Sequence, residues 1–162
     1  MAETTLLHEL ASFLAPNQII TDQDVCQTYA TDWSGEAGDL PMAVLRPKTT
    51  EEVSQSLALG NRLGCAVVPQ GGMTGLAGGA TIRGSAVALS LDHLNGIIEL
   101  DADSATLTAW AGTPLEVLQN AAEAAGFLFA LDLGARGSCQ IGGNVSTNAG
   151  GNRVIRYGMA RD

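Results

Sequence analysis

Cys65-Ala66-Val67-Val68-Pro69-Gln70-Gly71-Gly72-Met73-Thr74-Gly75-Leu76-Ala77-Gly78-Gly79 is an apolar run that opens into a glycine-rich loop. Residues 65–69 read as a buried strand, and the loop leaves its carboxyl end, where sheets with crossover helices place their ligands. Glycine has no Cβ, so successive backbone N–H groups can converge on an anion without side-chain obstruction. The loop has the form of a phosphate cradle. It is neither a dinucleotide fingerprint nor a Walker loop, because no Gly-x-Gly-x-x-Gly occurs and no Gly-Lys-Ser/Thr follows. The bland alternative is a plain glycine-rich turn.

Upstream, Ala43-Val44-Leu45-Arg46-Pro47 is a short apolar run closed by proline, and Thr49 and Glu52 have capping-box spacing. A helix is therefore expected from about Thr50, with Val53, Leu57, Leu59 and Leu63 on its apolar face and Gly64 at its C-terminal cap. Downstream, residues 85–91 read as a strand, and residues 96–100 pair with residues 105–111 across Asp101-Ala102-Asp103-Ser104. That turn accounts for the two aspartates without a catalytic carboxylate pair. Thr113-Pro114-Leu115-Glu116 repeats the capping-box spacing, predicting a helix over 114–125 with Val117, Leu118, Ala121, Ala122 and Ala125 before Gly126. Residues Leu6, Leu7, Leu10, Phe13 and Leu14 predict a short amphipathic N-terminal helix rather than a signal core.

A second glycine-rich stretch, Gly137-Ser138-Cys139-Gln140-Ile141-Gly142-Gly143-Asn144-Val145-Ser146-Thr147-Asn148-Ala149-Gly150-Gly151, is too patterned for a connection. Ile141, Val145 and Ala149 recur every fourth residue, which polar linkers seldom do. Its hydroxyls and amides, from Asn144, Ser146, Thr147 and Asn148, suit a polar ligand; a turn-capping role for Asn148 is the plainer reading.

The chain has 162 residues, 46% of them apolar, which is enough for one sizeable core or two small ones. A formal charge of −9 and a single lysine, Lys48, argue against nucleic-acid or anionic-membrane surfaces, so backbone amides would have to bind any phosphate. Cys26, Cys65 and Cys139 are odd in number and widely spaced, which fits free thiols in a reducing cytoplasm. No apolar run approaches the about 18 to 20 residues that cross a bilayer. His8 and His93 sit in no motif and build no metal site. Trp33 and Trp110 are expected to pack, and Arg153 and Arg156 to pair with nearby acids rather than to hold a ligand.

The two glycine stretches, with Leu131-Asp132-Leu133-Gly134-Ala135 and Arg156-Tyr157-Gly158, resemble the flavin-linked D-2-hydroxyacid dehydrogenases, whose FAD domain is of the p-cresol methylhydroxylase/vanillyl-alcohol oxidase type. The resemblance covers roughly residues 40 to 162. It implies an α+β fold in which FAD lies extended between two subdomains, the first a β-α-β unit with a small mixed sheet and hairpin. It divides the chain into a helical extension, 1–38, and an incomplete FAD-binding domain, 39–162. It also implies which residues meet FAD: Pro69, Gln70, Gly71, Gly72, Met73, Thr74, Gly75, Gly78 and Gly79 around the pyrophosphate, and Leu133, Gly134, Gly137, Ser138, Gly142, Gly143, Asn144, Ser146, Thr147 and Gly150 along the flavin. The implied reaction is hydride transfer from the α-carbon of a D-2-hydroxy acid, D-2-hydroxyglutarate or D-lactate in relatives, to flavin N5, with electrons passed to an acceptor; a glycolate-oxidase-type subunit is the nearest variant, and a homodimer is also admitted.

Two departures qualify the resemblance. Met73 stands where close relatives often have asparagine and where covalent relatives carry a flavin-linked histidine, so FAD held there is expected to be non-covalent. Family enzymes are much longer, and their substrate-binding and catalytic groups are expected outside residues 1–162, leaving this chain by itself inactive. A non-catalytic flavin module or a remnant that cannot close its cleft are the other classes to separate.

Overall fold

Thr49 and Gly64 delimit the longest helix. The computed structural model describes residues 2–162, with side chains from residue 5. In α3 (Thr50–Leu63) the Thr49 hydroxyl accepts from the Glu52 N–H at 3.1 Å, and Gly64, at φ +65°, closes the C-terminus in the left-handed conformation that glycine adopts freely. The reciprocal half of the expected capping box is made one residue early. The Glu52 carboxylate accepts from the Lys48 N–H at 2.6 Å, and also from the Gln18 side chain at 2.6 Å. The buried face is Ser56, Leu59 and Gly60, with Leu57 exposed instead of packed as expected. A Cβ on Gly60 would stand 2.5 Å from Val67 Cγ2, so α3 lies against its strand through small residues and turns Leu57 away.

Two other helices precede it, α1 (Ala2–Leu10) and α2 (Gln23–Gln27, capped by Asp22). The sheet contains β1 (Ile19–Ile20), β2 (Val44–Leu45), β3 (Ala66–Gln70) and β4 (Ala86–Ser90) in the order β1-β2-β4-β3. β4 runs parallel to both β2 and β3, and β1 is antiparallel to β2. Every residue of β4 is buried, which explains its apolar run Ala86-Val87-Ala88-Leu89 before Ser90: both faces are covered. Val87 and Leu45 join Leu6, Leu10, Leu14 and Leu59 on one face, while Val44, Ala86 and Ala88 join Cys26 and Ile82 on the other. Residues 1–38 thus supply a strand and part of the core.

The chain divides into two compact units, the first ending at His93 and the second beginning at Leu94. The second unit opens with an antiparallel hairpin, β5 (Ile97–Asp101) and β6 (Thr106–Ala109). Asp101 Oδ1 accepts from the Asp103 and Ser104 N–H groups at 2.9 and 3.3 Å, giving the aspartates the turn role that their spacing suggested. Next comes α4 (Leu115–Ala124), with Leu115, Leu118 and Ala122 buried and Val117 exposed. Thr113 does not cap it. The Thr113 hydroxyl is fully buried and bridges both backbone groups of Gly96, so the first N–H groups of α4 donate instead to the Cys139 and Arg136 carbonyls, both at 3.0 Å. Two short helices, α5 (Ile141–Ser146) and α6 (Val154–Tyr157), complete this unit. The architecture is α+β with a small mixed sheet, and no described helix is long and apolar enough to cross a membrane.

Candidate functional site

β3 delivers the first glycine loop at its carboxyl end, beginning with Gln70, which is 1% exposed. The Gln70 amide group donates to the Tyr29 and Ala80 carbonyls at 2.8 and 2.7 Å, tying the base of the loop together; Gln70 Oε1 is buried without a hydrogen-bond partner. Residues 71–74 and Gly78 are half-buried, whereas Pro69, Gly75 and Gly79 are exposed.

The loop's carbonyls are used internally. Gln70 O accepts from Leu91 N, Met73 O from Trp33 N and Gly78 O from Thr81 N, at 3.0, 3.1 and 3.2 Å. Among the described residues, none of the backbone N–H groups from Gly71 through Gly79 donates an internal hydrogen bond. Backbone amides seldom remain unpaired away from water, so this run is a set of donors available to an anion. No lysine or arginine occurs within it.

Asp32 lies beneath the loop, 5% exposed. Its Oδ1 accepts from Ser34 N at 3.0 Å and from the Thr81 hydroxyl at 3.3 Å, and its Oδ2 accepts from Ala80 N at 3.3 Å. Burial alone would raise the Asp32 carboxyl, but the hydrogen bonds from Ser34, Ala80 and Thr81 outweigh it and hold the group below the ordinary aspartate range. Sequence reasoning missed Asp32, Tyr29 and Thr81. Asp32-Trp33-Ser34-Gly35 carries only a turn signal. Trp33, expected to pack, is 76% exposed because the backbone, not the indole, meets the loop.

The second stretch is a turn, a helix and a turn. Ile141 N and Gly142 N donate to Thr113 O and Ala111 O at 2.9 and 2.8 Å, seating α5 beside the end of the hairpin. A Cβ on Gly142 would stand 2.8 Å from Ala111 Cβ, whereas nothing lies within 4 Å of one on Gly143. Gly151 is pinned against Asp132, where a Cβ would meet the carbonyl oxygen at 1.8 Å. The Ser146 and Thr147 hydroxyls donate back to Gly142 O and Gly143 O at 2.7 and 3.0 Å, so their protons serve their own helix. Asn144 is buried, with Oδ1 lacking a partner. Asn148 sits at φ +52° and accepts from Arg161 N at 3.1 Å, a turn-capping arrangement. Gly134, Gly137, Ser138, Gly143 and Gly150 are exposed, and Leu133 and Gly142 half-buried. The Cys139 thiol is pushed up by burial, against which a hydrogen bond from Asn144 acts.

A cleft of about 630 Å³ in the second unit is lined by Glu116, Gln119, Glu123, Phe127, Phe129, Asp132, Arg136 and Arg153, and by none of the expected flavin-facing residues. Arg153 pairs with Asp132 at 3.6 Å, and Arg156 lies over the Tyr157 ring at 5.2 Å. Arg153 thus has the acidic partner expected of it, whereas Arg156 meets an aromatic ring instead of an acid.

The family model described as "FAD binding domain" matches residues 41–162. D-2-hydroxyglutarate dehydrogenase of Xanthomonas citri pv. viticola is 46% identical over 134 residues, 83% of this chain and 28% of that protein. The mitochondrial D-2-hydroxyglutarate dehydrogenase of Danio rerio is 47% identical over 148 residues, 91% of this chain and 28% of that protein. The corresponding protein of Stutzerimonas stutzeri is 37% identical over the whole chain, 35% of its own length. The chain thus spans about a third or less of the curated relatives it matches. Alkyldihydroxyacetonephosphate synthase shares its fold at a TM-score of 0.87, with 20% identity over 96% of this chain and 31% of that one. p-Cresol methylhydroxylase does so at 0.76, with 17% identity over 92% of this chain and 30% of that one. With its glycine loop at the end of β3 and the family model covering everything from residue 41 onward, the chain belongs to the FAD binding domain family.

Proposed function

We propose that residues 39–162 form the FAD-binding portion of a flavoprotein oxidoreductase that oxidises a D-2-hydroxy acid, D-2-hydroxyglutarate being the substrate named in the similar proteins. The observation that carries this reading is the run of internally unpaired N–H groups from Gly71 through Gly79. It fits a pyrophosphate in chemistry: several backbone donors in one loop, without competing side chains. Gly71, Gly72, Met73, Thr74, Gly75, Gly78 and Gly79 would hold the phosphates through their backbones, with Gln70 bracing the base. In the second unit, exposed Gly143 offers an unobstructed backbone for the flavin part, and Leu133, Gly134, Gly137, Ser138, Gly142, Asn144, Ser146, Thr147 and Gly150 are the other residues proposed to meet it.

Bound FAD would supply the hydride-accepting centre. The chain's share is binding and orientation. Met73 offers no group for a covalent flavin link, so the cofactor is held non-covalently. Substrate-binding groups would come from the much longer sequence that the relatives possess, so residues 1–162 alone would not turn over. Three unbridged thiols suit a reducing compartment such as the cytoplasm, although the zebrafish relative is named mitochondrial.

Titrating the chain with FAD, followed by flavin fluorescence and visible absorption with NAD as control, tests the reading. Saturable uptake of FAD and not NAD, with free flavin released on denaturation, is expected. Absence of uptake by the folded chain overturns it.

A further inference from the structure

Several hydrogen bonds cross from residues 29–33, which lie outside the matched domain, to the glycine loop or the turn that ends it: Gln70 Nε2 to Tyr29 O, Trp33 N to Met73 O, Ala80 N to Asp32 Oδ2, the Thr81 hydroxyl to Asp32 Oδ1, and Asp32 N to Thr81 Oγ1. Ile82 N adds another to Ala30 O at 2.9 Å, and Gly38 allows the chain to pass so close that a Cβ would stand 1.9 Å from that same carbonyl. We infer that Asp32 is a positioning residue for the cofactor loop, holding the Gly71–Gly79 amides free by anchoring the loop's exit at Ala80 and Thr81; the inference rests on reading that loop as the phosphate cradle.

The geometry leaves Asp32 few other roles. A carboxylate buried to this degree must be hydrogen-bonded, and its described donors, from Ser34, Ala80 and Thr81, all belong to its own turn or to the loop's exit. Its lowered pKa keeps it an acceptor at neutral pH, so the Ala80 N–H and the Thr81 hydroxyl are drawn down onto it. Gly75 passes close above: a Cβ there would lie 3.2 Å from Asp32 Oδ2. An anionic side chain under a phosphate loop is electrostatically unfavourable for an anionic ligand, so Asp32 acts by fixing backbone geometry and not by touching the ligand. Asparagine in its place would keep the volume but turn one acceptor into a donor facing another donor.

The test uses the 162-residue chain and its Asp32→Asn, Thr81→Val and Glu52→Gln variants, with FAD as the probe. The Asp32→Asn variant should bind FAD about ten-fold more weakly, the scale of a lost charge-assisted hydrogen bond, and Thr81→Val less so. Glu52→Gln, which loosens the same unit away from the loop, should lower the melting temperature and leave FAD affinity unchanged. Hydrogen exchange without FAD supplies the second readout: the Ala80 and Trp33 amides should lose protection in Asp32→Asn while those of β4 keep theirs. FAD affinity in Asp32→Asn equal to wild type, or a loss matched by Glu52→Gln, overturns the inference. If the wild-type chain takes up no FAD, the cofactor reading falls, and the exchange data alone decide: lost Ala80 protection supports the anchoring role, and unchanged protection overturns it.

Discussion

Met73 holds φ +56°, a left-handed conformation that a side chain with a Cβ normally avoids, and it is kept there by the bond from Trp33 N to its carbonyl. The strain costs on the order of 1 kcal/mol, and asparagine tolerates the same conformation better. Met73→Asn should therefore raise unfolding stability by up to about 1 kcal/mol in a denaturant titration. Two adjacent glycines in α5 separate packing from binding. Gly142→Ala would drive a methyl into the Ala111 backbone and destabilise by about 1 to 3 kcal/mol. Gly143→Ala enters open space and should leave stability unchanged or raised, while weakening FAD if the ligand approaches that backbone. Melting curves and FAD titrations of the two variants check both outcomes.

At the scale of elements, the N-terminus of α3 makes the first unit sensitive to acid. The N–H of Lys48 holds the Glu52 carboxyl below the ordinary glutamate range, against the effect of burial, with Gln18, Thr49 and the Lys48 charge assisting. Because the folded-state pKa is depressed, this stabilisation is present above the unfolded value of about 4.3 and is lost as pH falls through the folded value. Wild type should melt higher than Glu52→Gln at pH 7, and the difference should shrink as pH falls below the unfolded value and vanish once it is below the folded one. A gap that persists at low pH would place the effect in packing instead of charge. The same helix shows where patterning fails. Its caps act within a few residues and were readable, but Leu57 was not, because Gly60 and Ser56 let α3 approach Val67 on a narrower face than the apolar residues outline.

For the whole molecule, charge and loop chemistry make opposing demands. A chain of net charge −9 is asked to take up an anionic cofactor through dipoles and not through cations. FAD affinity should therefore hold steady or rise as salt increases from about 50 to 500 mM, whereas a lysine- or arginine-based site would lose affinity over that range. The α3 caps, the β5-β6 turn, the largely apolar β4 and the two glycine stretches were legible in the sequence, since each depends on residues close together in the chain. The allotment of individual hydrogen bonds was not. Thr113 has helix-capping spacing yet serves Gly96, seventeen residues away, and Ser146 and Thr147 look like ligand hydroxyls yet donate to their own helix. Asp32 meets its Thr81 partner across 49 residues. Local spacing alone thus determined where the chain turns, that β4 is buried and that a glycine loop follows β3; it did not determine the burial of β3, expected to be buried but placed at the sheet edge with Ala66 and Pro69 exposed and Val67 and Val68 half-buried. Only the tertiary structure decided which of that loop's backbone groups are already paired, because polar groups choose among partners that folding brings together from distant parts of the chain.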